Sequence, residues 1–124
     1  PSFSFNYGKT LSGSHTINTE EVLLKYIVEP HNVGKNLLAE VEVALDHNPD
    51  HEFELYVQKG RKPVYFPEDY IDKNLGETPK LLLTNLEAGE YIFMLRCIDK
   101  KEWEYINGGG DFEITFTVSD EPIA

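Results

Sequence analysis

The sequence has little cysteine and no long apolar run. Only one of its 124 residues is a cysteine, so no disulfide can form within the chain. No apolar stretch approaches the roughly 20 residues that a membrane-spanning helix needs, and no signal-peptide pattern is present, so we expect no membrane contact by this chain. The length of 124 residues leaves room for one domain, so we expect a single domain spanning 1–124. Because the chain begins at Pro1 rather than methionine, we expect that it was excised from a longer protein.

Basic residues are also scarce. Eleven lysines and arginines face 22 aspartates and glutamates, which gives a formal charge of −11. This charge repels phosphate backbones, and no basic stripe is visible, so the composition argues against a nucleic-acid partner. A cation or a basic partner would suit it, although acidity also serves solubility alone.

What the chain does have is short runs in which apolar and polar residues alternate, with no stretch of helical period. This pattern predicts an all-β protein, an antiparallel β-sandwich of about eight strands. The predicted strands are Pro1 to Tyr7, Leu11 to Ile17, Val22 to Glu29, Asn36 to Asp46, His51 to Gly60, Lys80 to Thr84, Glu90 to Ile98 and Asp111 to Ser119.

Two of these strands organise the rest. The strand from His51 alternates Phe53, Leu55 and Val57 with polar residues, as a strand with one buried face does, whereas the strand from Glu90 is apolar on both sides and should be central. Cys97 lies in that central strand and is predicted to be a buried core thiol rather than a nucleophile. No catalytic residue is therefore predicted, and we expect that the chain is not an enzyme.

Residues 36–46 are predicted to turn one apolar row inward: Leu37, Ala39, Val41, Val43 and Leu45. Two segments are predicted to be loops. The first, residues 61–79, is broken by prolines and a glycine, and the second, residues 100–110, is hairpin-like and ends in three glycines.

The candidate ligand-binding residues are aromatic side chains in these two loops. Tyr65, Phe66 and Tyr70 fall in the first loop and Trp103 and Tyr105 in the second, outside any predicted strand. Aromatic rings on loops are common anchors for proteins and sugars because they bury large areas with few rotamers to freeze. The alternative is that they cover the open edges of the sandwich. An acidic rim accompanies them: Glu68, Asp69, Glu102 and Glu104.

A metal site is not predicted. The densest group of potential ligands is His47, Asp50, His51 and Glu52, but Pro49 excludes the helix on which His47 and His51 would converge, so a solvated turn with Asp50 as its cap is favoured. For calcium there is no Asp-rich binding loop. The carboxylates that could supply such a site are Glu20, Glu21, Asp46, Glu52, Glu54, Glu68 and Asp69.

Several motifs together resemble a known family. Leu55-Tyr56-Val57 is followed by Gly60 and Pro63, and later Ala88-Gly89-Glu90-Tyr91 opens a strand before the final alternating strand. This order resembles the bacterial pre-peptidase C-terminal domain, which implies a jelly-roll-like sandwich appended to a secreted protease and related to collagen-binding domains that hold calcium. The family commonly has two aspartates before Leu-Tyr-Val, where this chain has Glu52 and Glu54.

The Asn-, Lys- and Glu-rich texture also resembles the luminal domains of amoebic cysteine-protease-binding lysosomal cargo receptors. That resemblance implies a non-catalytic protein-recognition module that binds hydrolases as cargo, in the secretory or endolysosomal lumen or outside the cell. The alternative, implied by the first resemblance, is an accessory domain of a secreted protease that binds collagen or polysaccharide, with calcium as its one candidate cofactor.

Overall fold

The computed structural model describes residues 2–5, 10–15, 21–63, 70–76, 78–106 and 108–120, the first two ranges as backbone only. Within these ranges the chain forms ten strands and one 3-10 turn, Pro30–Asn32. The strands are β1 Ser2–Phe5, β2 Thr10–His15, β3 Val22–Val28, β4 Asn36–Val43, β5 His51–Lys59, β6 Asp72–Gly76, β7 Lys80–Leu83, β8 Gly89–Asp99, β9 Glu104–Ile106 and β10 Gly110–Ser119.

The strands form two sheets packed face to face, which confirms the predicted β-sandwich. One sheet has the order β1-β3-β8-β5-β6, with β9 also paired to β8, and the other has the order β2-β10-β4-β7. All pairs within these sheets are antiparallel except β1 and β3, which run parallel. The two longest strands of the six-stranded sheet, β5 and β8, are therefore paired with each other near its middle.

The core lies between the sheets and follows from the alternation. Phe93 on β8 packs edge-on against Phe116 on β10 at 5.0 Å between ring centroids, and Tyr26 on β3 stacks on the same ring at 5.5 Å. As predicted, β8 is central, hydrogen-bonded to β3 on one side and β5 on the other. Cys97 is fully buried in it, as expected of a core thiol.

The inward row of β4 ends earlier than predicted. The strand stops at Val43, and the chain turns so that the His47 amide donates to the Ala44 carbonyl at 3.0 Å. Leu45 lies in this turn and is fully exposed, so the prediction that it points into the core was wrong. Alternation had continued in the sequence for two residues after the sheet pairing ended.

Both predicted loops contain a short strand. β6 lies within residues 61–79 and pairs with β5, while β9 lies within residues 100–110 and pairs with the end of β8. β6 is an edge strand whose residues 72–75 are all exposed, so burial imposed no alternation on its sequence. β9 has only three residues, which are too few to show an alternating pattern in the sequence.

No helix among the described residues is long and apolar enough to cross a bilayer.

Candidate recognition surface

A buried polar network lies on the outer face of the six-stranded sheet, away from the core. Alternation along β5 turns Glu54 and Tyr56 to this face, and both are buried, at 8% and 4% exposure. The Tyr56 hydroxyl donates to Glu54 Oε1 at 3.0 Å. Glu54 is paired in register with Arg96 of β8, which is itself only 4% exposed. The outer face thus buries a carboxylate and a guanidinium side by side.

Tyr105 covers this network. It lies in β9, not outside every strand as the sequence suggested, because β9 folds back along β8 with Tyr105 opposite Ile98. Its hydroxyl donates to Glu54 Oε1 at 2.9 Å, and its ring lies over Arg96 with 3.9 Å from Cζ to the ring centroid. Tyr105 is thus held by a cation–π contact and a hydrogen bond, yet the residue remains 40% exposed to solvent.

Burial and the neighbouring carboxylate act on Tyr56 in the same direction. Desolvation is the larger cause and the charge of Glu54 the next, and together they raise the pKa of the Tyr56 phenol far above its usual value of 10.0. Tyr56 therefore stays a hydrogen-bond donor to Glu54 throughout the physiological range.

Tyr70 joins the same face from the other side. Its ring meets the ring of Tyr56 edge-on at 5.2 Å between centroids, and Lys73 Nζ lies 5.3 Å from its centroid. Tyr70 and Tyr105 are therefore linked through Tyr56 and Glu54. The other two predicted residues of the first loop, Tyr65 and Phe66, lie outside the described residues.

Trp103 has a different setting. It lies in the turn between β8 and β9 with a positive φ of 56°, and its amide donates to the Asp99 carbonyl at 2.7 Å. Asp99 also accepts a hydrogen bond from the Lys101 amide at 2.9 Å. The turn backbone is thus fixed, yet 73% of Trp103 is exposed, between the exposed acidic residues Glu102 and Glu104.

A groove of about 280 Å³ opens at the same end of the sandwich as this turn. The Lys100 amide donates to the Asp50 carbonyl at 2.7 Å, which joins the turn to the β4–β5 connection. We call this cavity the loop-end groove. It is lined by Ala44, Asp46, His47, Asn48, His51, Gly108, Gly109, Gly110 and Asp111.

Two of the four predicted metal-ligand candidates, His47 and His51, line the loop-end groove, while the other two do not. The cap of the turn is Asn48, whose Oδ1 accepts from the Asp50 amide at 2.9 Å, so the prediction that Asp50 is the cap was wrong. Glu52 pairs with Lys100 Nζ at 3.7 Å. Among the described residues no group of three or more His, Cys, Asp or Glu side chains is placed to hold a metal ion.

The thiol of Cys97 offers no nucleophile. Desolvation by burial is the main cause that raises its pKa to about 12, with the charge of Asp99 adding to it. A thiolate is the reactive form, so this thiol is inert at neutral pH.

Comparison with solved structures places the fold among known sandwiches. No protein-family model matches the chain, and no curated protein matches it in sequence. The structure is similar to the pre-peptidase C-terminal domain of a Bacillus anthracis collagenase, with a TM-score of 0.65 and 14% identity over 94% of this chain and 95% of that one. This likeness supports the fold of a pre-peptidase C-terminal domain and lends no support to the cargo-receptor resemblance.

Two further solved structures share the architecture. PliG of Aeromonas hydrophila, a periplasmic inhibitor of g-type lysozyme, has a TM-score of 0.60 and 11% identity, covering 95% of this chain and 97% of its own. The surface-associated copper-binding protein CorA of Methylomicrobium album BG8 has a TM-score of 0.55 and 6% identity, covering 94% and 98%. At these identities the likeness is one of fold.

Proposed function

We propose that this chain is a non-catalytic protein-recognition module that grips its partner with Trp103, supported by Tyr105 and Tyr70. The observation that carries the proposal is the 73% exposure of Trp103 on a turn whose backbone is hydrogen-bonded in place. An exposed tryptophan on a fixed turn contributes area to an interface without a large loss of conformational freedom on binding.

The partner we propose is a basic protein. The chain carries a charge of −11, and exposed acidic residues flank Trp103 on both sides. Complementary charge raises the rate of encounter and disfavours acidic competitors, while the aromatic anchor supplies affinity.

A hydrolase is the partner class with most support. The similar PliG fold belongs to an inhibitor of a lysozyme, which is itself a hydrolase, so a sandwich of this architecture can present a surface to one. In the finer form of the proposal the hydrolases are lysosomal cargo and the chain is the luminal part of a sorting receptor. Either form locates the chain in a secretory or endolysosomal lumen or outside the cell.

The test is direct binding of the immobilised chain to two purified probes, a g-type lysozyme and a cysteine protease, measured by interferometry at pH 7. Replacing a hot-spot tryptophan costs about 2 kcal/mol or more, so Trp103→Ala should raise the Kd of a bound probe by roughly 30-fold. Val33 is a matched control, since it is an apolar residue 48% exposed in the connection between β3 and β4, at the other end of the sandwich. Equal binding by Trp103→Ala and Val33→Ala, or no binding of either probe, would contradict the proposal.

The likeness to a collagenase domain favours a second candidate, an accessory domain of a secreted protease that binds collagen or polysaccharide with the help of calcium. A ligand that binds only the folded state raises the melting temperature. A Tm raised by calcium and lowered again by chelator, together with retention on collagen or on a glycan column, would support this candidate over the first.

A further inference from the structure

The loop-end groove is built from three chain segments that the sheet register brings together. β5 begins at His51 directly opposite Asp99, the last residue of β8, so the β4–β5 connection adjoins the turn that carries Trp103. The glycine segment 108–110 leads into β10, whose Asp111 carbonyl accepts from the Ala44 amide at 3.4 Å. The two most exposed large apolar side chains among the described residues, Leu45 and Trp103, both lie at this end.

The tautomer of His47 follows from its hydrogen bond. His47 Nε2 lies 3.0 Å from the carbonyl oxygen of His51, and a carbonyl oxygen only accepts, so Nε2 carries the proton. The other ring nitrogen, Nδ1, then has a free lone pair in the neutral side chain. The ring is held in place by stacking on Phe53, at 5.6 Å between centroids.

Glycine leaves that lone pair accessible. A Cβ atom at position 110 would lie 4.0 Å from His47 Nδ1, but Gly110 has no Cβ atom. Gly110 also has a φ of +105°, which a residue with a side chain rarely adopts. The wall of the groove opposite His47 is therefore backbone.

Two of the remaining lining residues are acidic. Asp46 and Asp111 contribute carboxylates, and none of the described lining residues is a lysine or an arginine. A groove that combines two carboxylates with an imidazole lone pair presents acceptors, which match a cationic group with several N–H donors.

We propose that the loop-end groove binds a cationic side chain, arginine or lysine, with Asp46, Asp111 and the Nδ1 lone pair of His47 as acceptors. Leu45 and Trp103 flank the groove and contact the apolar residues next to that cation in the partner. The identification of the cation's source as a protein rests on the proposed function, but the binding of the side chain itself does not.

The experiment is an NMR titration of the ¹⁵N-labelled chain with N-acetyl-arginine amide and with N-acetyl-lysine amide. N-acetyl-citrulline amide, which has nearly the shape of the arginine probe and no charge, is the matched control ligand. We expect shifts confined to the amides of residues 46–48 and 108–111, saturating with a Kd on the order of 1–10 mM for a single side chain. The Nδ1 resonance of His47 should move during the titration.

A variant separates the groove from the general charge of the chain. Asp46 is exposed, so Asp46→Asn should fold normally and weaken arginine binding by about tenfold, the contribution of one charge-assisted hydrogen bond. Glu42→Gln removes the same charge from an exposed site on β4 and should leave binding unchanged. Shifts spread over the whole surface, equal shifts with citrulline, equal losses in both variants, or an Nδ1 resonance of His47 that does not move would each overturn the proposal.

The outcome is independent of the proposed function. If the chain binds a hydrolase through Trp103 but shows no localised shifts with arginine, the proposed function stands and the cation-binding groove is overturned. If localised shifts appear but no hydrolase binds, the groove binds a cationic side chain and the proposed function is contradicted.

Discussion

At the scale of single residues, the buried Cys97 thiol and Tyr56 phenol stay protonated in the folded state, and this makes the fold less stable at alkaline pH. Burial raises the pKa of Cys97 from 9.0 to about 12, and burial beside Glu54 raises that of Tyr56 well above 10.0. In the unfolded chain both groups ionise at their ordinary values. At a pH between the unfolded-state and folded-state pKa of each group, the folded state holds a proton that the unfolded state has lost.

The free energy of unfolding should therefore fall as pH rises. The contribution of Cys97 is fully present below pH 9.0 and is lost up to about pH 12, while that of Tyr56 declines from pH 10.0 upward. Each group adds a slope of at most about 1.4 kcal/mol per pH unit. Urea unfolding from pH 8 to pH 11 measures it.

The variants Cys97→Ala and Tyr56→Phe separate the two contributions, because each removes one titration. Each variant also loses stability at every pH, through a small cavity or a lost hydrogen bond, but that offset does not change the slope. A wild-type slope equal to that of both variants would show that neither group is protected by the fold.

At the scale of elements, the hairpin of β8 and β9 is held by side chains more than by its own backbone. β9 has three residues, yet Tyr105 reaches across β8 to Glu54 on β5 and covers Arg96. A strand this short gains little from its ladder alone. The anchoring of β9 therefore depends on Tyr105.

We expect Tyr105→Ala to destabilise the chain by about 2–4 kcal/mol, because it removes a ring over a buried guanidinium and a hydrogen bond to a buried carboxylate. Tyr105→Phe keeps the ring and should cost about half as much. Amide exchange of Ile106 should accelerate in Tyr105→Ala, while that of Leu95, in the middle of β8, follows only the global stability. Unchanged exchange at Ile106 would show that the backbone ladder alone anchors β9.

The long strands were predictable from sequence and the short ones were not, for the same reason. Alternation marks a strand when one face is buried, as with Phe112 and Ile114 on β10, and both faces of β8 are apolar because it is central. The edge strand β6 buries almost nothing, so its sequence, Asp72 to Gly76, has no pattern to read. The end of β4 at Val43 depends on pairing with β10, which alternation within β4 cannot show.

The candidate surface was predictable only as a set of exposed aromatic residues. Trp103 stands in solvent as its loop position indicated, but the Glu54–Tyr105 contact joins residues 51 positions apart and depends on the register of two strand pairs. One signal was present in the sequence. Arg96 interrupts an otherwise apolar strand, and a buried guanidinium needs partners on the neighbouring strands.

At the scale of the whole molecule, a charge of −11 on 124 residues makes salt act on folding and on binding with opposite signs. Self-repulsion among exposed carboxylates destabilises the compact state, and salt screens it over a Debye length of about 10 Å at 0.1 M. The ion pairs among the described residues, such as Lys25–Glu90 and Lys59–Glu87, lie between partly exposed side chains, so screening them costs little. Salt should therefore stabilise the fold.

We expect the Tm to rise by a few degrees between 20 mM and 300 mM sodium chloride, and the association rate with a basic partner to fall over the same range by about tenfold or more. Calorimetry measures the first and stopped-flow fluorescence of Trp103, the only tryptophan, measures the second. The dissociation rate should change little, because it depends on the aromatic contact rather than on long-range charge. An association rate that does not respond to salt would mean that the acidic surface plays no part in recognition and serves solubility alone.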